Sequence, residues 1–141
     1  MNKETVIEVE RRVTGFLLSL ISGTLSLGFG VATYVSLIIL RNYFFSPIVE
    51  FLLTLHLILS LLVVLGACFI WLRYQTIGGR LAVLCSISTI ILFITLHGGF
   101  EWKYLPSSLL SLPLIGFYII LSTLGIIGGT MGLERGETKT T

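Results

Sequence analysis

The chain has 141 residues, of which 55% are hydrophobic and 11% charged, with a net charge of +2 and a mean hydropathy of +1.01. Soluble domains carry roughly a quarter of their residues as charged groups, so this composition excludes an ordinary water-soluble fold. The small, dispersed positive charge leaves no footprint for nucleic acid. All seven acidic residues are glutamates, placed at or near the ends of apolar segments.

Four charge-free runs organise the chain: Val13 to Leu40, Phe51 to Leu72, Leu81 to Phe100, and Tyr104 to Leu133. A helix rises about 1.5 Å per residue and the hydrocarbon core is about 30 Å thick, so roughly 20 residues suffice to cross. Each run is long enough. The pattern predicts an all-α integral membrane protein, a single transmembrane domain over 1–141 with spans at roughly 14–40, 48–72, 80–98 and 111–133. A short N-terminal segment, 1–12, precedes the spans and a polar tail, 134–141, follows them. Short turns between the first and second spans and between the second and third would hold sequential helices antiparallel in an up-down-up-down bundle.

In chain order, Met1 to Arg12 mixes Lys3, Arg11 and Arg12 with Glu4, Glu8 and Glu10, and Glu8 and Arg12 stand at i,i+4 spacing. That segment reads as an extension of the first helix. The apolar run after it is about twice the length of a cleavable signal core, which marks a retained span. Arg41 to Pro47 reads as a tight turn with Pro47 in the first turn of the second helix. Gln75 to Gly79 reads as the next turn, with Gly78 and Gly79 at the break between helices. His97 to Ser111 is the one sizeable loop, its Phe100, Trp102 and Tyr104 suited to a bilayer surface. Pro113 falls in the first turn of the fourth helix if Ser111 is its N-cap.

Lys and Arg fix the expected orientation. Lys3, Arg11, Arg12, Arg73, Arg80, Arg135 and Lys139 lie on one side, Arg41 and Lys103 on the other. Because positive charge is retained on the cytoplasmic side, both termini are expected there, with the chain multi-pass in the cell membrane.

Helices in lipid associate through close packing of small residues. Gly15, Ser19 and Gly23 repeat at four-residue spacing in the first span, as do Thr24, Gly28, Ala32 and Ser36, and also Ser22, Ser26 and Gly30. Gly125 with Gly129 and Gly128 with Gly132 do so in the fourth, and Gly78, Ala82 and Ser86 in the third. The expected helix-packing set is therefore Gly15, Ser19, Gly23, Gly28, Ala32, Gly125, Gly128, Gly129 and Gly132. These faces are expected to let the four helices close into one bundle; the alternative is a Gly125 to Gly132 surface turned outward, which would suit a second protomer or another subunit.

Intramembrane polar groups are the remaining source of chemistry. His56 and His97 are equidistant from the turn joining the second and third spans, and so are Cys68 and Cys85. Each histidine lies twelve residues from its cysteine, about 120° of helical rotation, so a cysteine pair and a histidine pair cannot both converge. His56 and His97 are the candidate haem ligands. Against that stands a plain hydrogen-bonding role for His56 toward Ser60, with the thiols as small apolar groups. The four-span plan resembles that of small multidrug transporters, but the buried carboxylate of that family has no counterpart between Val13 and Leu40.

These features predict a non-enzymatic structural or accessory component of a membrane complex, without catalytic residues, metal or cofactor. Its expected partners are the lipid bilayer and a second copy or another membrane subunit. The alternatives are a homo-oligomeric channel or small-solute transporter and, more remotely, a haem-binding redox protein.

Overall fold

A computed structural model describes residues 3–39, 47–99 and 108–133, with side chains placed except at 3–4, 37, 48–49, 96–99 and 108–115. It is all-helical: α1 is Lys3–Ile39, α2 Pro47–Trp71, α3 Gln75–Gly99 and α4 Ser108–Leu133. Each contains a stretch long and apolar enough to cross a membrane, at Thr5–Ser36, Glu50–Trp71, Gln75–Thr95 and Gly116–Leu133. At 1.5 Å per residue α1 is about 55 Å long against a hydrocarbon core of about 30 Å, so its first turns continue past the apolar layer as helix. The turn at 41–46, the aromatic segment at 100–107 and the tail at 134–141 lie outside the described residues.

Consecutive helices pack side by side and α4 closes on α1, which makes a ring of four with limited contact between α2 and α4 across the centre. The buried positions explain the ring, because each helix hides one stripe of mostly three- and four-residue spacing. On α2 the stripe is Leu53, His56, Ser60, Val63, Ala67 and Ile70. On α4 it is Tyr118, Leu121, Ser122, Gly125, Gly128, Gly129 and Gly132. The opposite faces carry Leu17, Leu25, Phe51, Leu61, Leu84, Ile91, Ile94, Ile119 and Ile120, all exposed. In water such a surface would aggregate, and in lipid it is the solvated one.

Two boundaries differ from the sequence expectation. α3 starts at Gln75, so Gly78 and Gly79 lie inside the helix and not in the turn. The turn is made by Leu72, Arg73 and Tyr74, which end α2 in a left-handed cap. Arg73 adopts φ 73°, the Tyr74 amide donates to Phe69 O at 2.9 Å, and the Arg73 amide donates to Ile70 O at 3.3 Å. The Tyr74 ring meets Phe69 edge-on at 6.4 Å, the apolar contact that accompanies this cap. The Gly-Gly pair drew attention to the wrong residues because an arginine occupies the position where glycine is usual. Arg73→Gly is therefore expected to stabilise the protein by about 1 kcal/mol, read as a raised midpoint in detergent unfolding.

The second difference is that α4 starts at Ser108, which puts Pro113 at its sixth position and outside the first turn. There proline lacks the N–H that would bond Leu109 O.

Candidate functional site

Among its apolar residues the interior of the ring also buries a set of polar side chains. Ser19, Ser22, Ser26, His56, Ser60, Ser86, Thr89 and Ser122 are all buried, and they form a seam along the inner faces of the four helices.

At the turn end, backbones touch. A methyl group on Gly78 would meet Gly66 O at 2.5 Å and Ile70 N at 2.7 Å, and one on Gly79 would meet Gly129 O at 2.5 Å. Gly15 faces Gly128 O at 2.9 Å on the same construction, and Gly132 faces Ile70. Further along, Ser19 Oγ lies over Gly128 and Ser86 Oγ over Gly125. Both hydroxyl oxygens are buried without a hydrogen-bond partner, and the facing glycines leave room for weak Cα–H···O contacts instead. Ser22 ties α1 to α4 by donating to Leu121 O at 2.7 Å.

Midway along, three side chains close a loop. Ser60 Oγ donates to His56 O at 2.9 Å, one turn back. That uses its only hydrogen, so in the 2.9 Å contact between Ser26 Oγ and Ser60 Oγ the donor is Ser26. The Ser26 hydroxyl then accepts, at 3.5 Å, from His56 Nε2, whose nearer contact is Ser26 O at 3.3 Å. A carbonyl can only accept, which assigns the hydrogen to Nε2. His56 is thus linked to itself through α1. Its sequence-expected partner, Ser60, does bond it, but through the backbone carbonyl.

The His56 ring is enclosed. A methyl on Gly30 would meet its Cδ2 at 2.8 Å, and Tyr118 stands edge-on at 5.3 Å between centroids. Tyr118 also packs on Phe93 at 4.1 Å and Phe29 at 5.3 Å. This four-ring cluster packs closely around the His56 ring. The His97 backbone lies in the last turn of α3, and its side chain lies outside the described residues. Cys68 is exposed and Cys85 buried, both free thiols on different faces of their hairpin.

The packing residues divide cleanly. Gly15, Ser19, Gly23, Gly125, Gly128, Gly129 and Gly132 all lie in the interior, so the Gly125 to Gly132 surface is occupied within the chain and is not turned outward. Gly28 and Ala32 face outward, and nothing lies within 4 Å of a methyl added at Gly28. With Thr24 and Ser36, also exposed, they form an open small-residue stripe on α1. Tyr118 and Gly66 escaped the sequence reading. Their only signal is phase, since Tyr118 stands seven residues before Gly125, and Gly66 three after Val63 and four before Ile70, in otherwise apolar runs.

No protein family, no curated protein and no solved structure matches this chain.

Proposed function

We propose that the chain is a non-enzymatic structural or accessory component of a complex in the cell membrane, its spans alternating in direction and both termini cytoplasmic. The observation that supports this reading is the use made of the intramembrane polar groups. Ser22, Ser26, His56 and Ser60 are tied into contacts between helices, and Ser19 and Ser86 are covered by glycines. Among the described residues no ionisable side chain of the membrane interior faces an open path, whereas catalysis or coupled transport ordinarily requires one.

What remains for function is the outer surface. The open stripe of Thr24, Gly28, Ala32 and Ser36 suits close approach by a membrane helix of another subunit. Native mass spectrometry after gentle extraction from the source membrane tests this. The expected result is a heteromeric mass that reverts to the lone chain in Gly28→Leu, with α-helical content unchanged. A lone chain from the unsubstituted protein would count against the reading. A homo-oligomer with solute flux would favour the channel alternative, whose pathway would then run along Thr24 and Ser36, since His56 is only 3% exposed.

A further inference from the structure

A cavity of about 480 Å³ lies where the first turns of α1 pass the α2–α3 turn, lined by Thr5, Glu8, Val9, Arg12, Arg73, Gln75 and Thr76. It brings together charged groups, which the described apolar middle of each span lacks. It holds two guanidinium groups from separate elements against one carboxylate, and Arg12 Nε is buried there without a hydrogen-bond partner. Gln75 and Thr76 open α3, so their amides have no partner within that helix. The first helical bond of this turn is donated by Gly78 to Tyr74 O at 2.9 Å. Trp71 and Tyr74, both exposed, flank the turn, as aromatic side chains do at the level of lipid headgroups.

We propose that this cavity is a binding site for a phosphate group, held between Arg12 and Arg73. Donors from separate elements line the cavity: two planar forks, the Gln75 amide side chain, the Thr76 hydroxyl and helix-end amides. That number suits the tetrahedral set of phosphate oxygens better than the two oxygens of a carboxylate. Two positive side chains against Glu8 leave a net attraction for a singly charged group. The volume lies within the range of small-ligand pockets, about 300 to 1,000 Å³. The phosphate belongs either to an anionic phospholipid of the adjoining leaflet or to a soluble phosphate, and the site offers both the same contacts. A lone copy of the chain has the complete cavity, so the proposal does not depend on the accessory-subunit reading.

The test uses the full-length protein in nanodiscs of phosphatidylcholine with a minor fraction of phosphatidylglycerol, and native mass spectrometry to count retained lipid. Titration calorimetry of inorganic phosphate into the detergent-solubilised protein forms a second arm. Retained phosphatidylglycerol that falls about tenfold in Arg12→Gln and again in Arg73→Gln, about 1.4 kcal/mol each, supports a lipid headgroup. Phosphate binding in detergent with the same dependence on both arginines supports a soluble ligand. Arg73→Gly eases the left-handed backbone, so it folds at least as well as the parent and must still weaken binding about tenfold. Equal retention and equal calorimetric heats in parent and variants would overturn the proposal.

Discussion

Gly78→Leu is expected to be the most damaging single change in the protein, lowering stability by about 3 kcal/mol or more. The reason is what surrounds Gly78. Its first added carbon would meet Gly66 O at 2.5 Å and Ile70 N at 2.7 Å, and backbone atoms cannot rotate aside as side chains can. The α2–α3 hairpin would have to separate, and the contact of Gly79 with Gly129 would go with it. Unfolding in a series of denaturing-detergent mole fractions, followed by circular dichroism, measures the loss. Gly28→Leu is the matched control, because it adds the same side chain at a position with nothing within 4 Å. Its expected change is within about 0.5 kcal/mol. Similar midpoints for the two variants would mean that α2 and α3 do not approach through Gly66 and Gly78.

His56→Ala carries the second large effect, a loss of about 3 kcal/mol. Interhelical hydrogen bonds in membranes average only about 0.6 kcal/mol, so most of this comes from emptying the space between Gly30 and Tyr118, where truncation of a buried side chain costs about 2 to 5 kcal/mol. The same detergent series measures it. The variant also separates structure from transport. If the Ser26–Ser60–His56 loop only holds α1 to α2, stability falls and any association through the outer stripe persists in folded protein. Solute flux abolished in His56→Ala at unchanged stability would instead assign the histidine to a pathway.

The helices were legible in the sequence because apolar length decides them, and no tertiary contact is needed to place four charge-free runs in four membrane-length helices. The interior glycines at 125, 128, 129 and 132 were legible as packing residues for the same reason, since their spacing is a property of one helix. Packing within the bundle was the reading their spacing favoured, but their partners were not legible. Whether Gly125 meets Ser86 or a second protomer depends on rotation about the α4 axis, and small residues on several faces of α1 leave that rotation undetermined. The turn was misread because Gly78 and Gly79 have the composition of a break, while the left-handed residue is Arg73, which carries no such signature. The cavity between Arg12 and Arg73 brings together residues 61 positions apart, so it becomes visible only once α1 extends helically past the apolar layer.

The ring of helices closes through its last member. Ser22 of α1 bonds a carbonyl of α4, Gly15 and Ser19 rest on Gly128, and Gly79 and Ser86 of α3 rest on Gly129 and Gly125. During synthesis these surfaces of α1 and α3 emerge well before α4, and until it arrives their serines and bare glycine backbone face lipid with nothing to meet them. A ribosome stalled after α3 would therefore leave a three-helix intermediate with an adhesive cleft, of the kind that membrane quality control and misdirected neighbours can seize. α4 acts as the clasp of the ring.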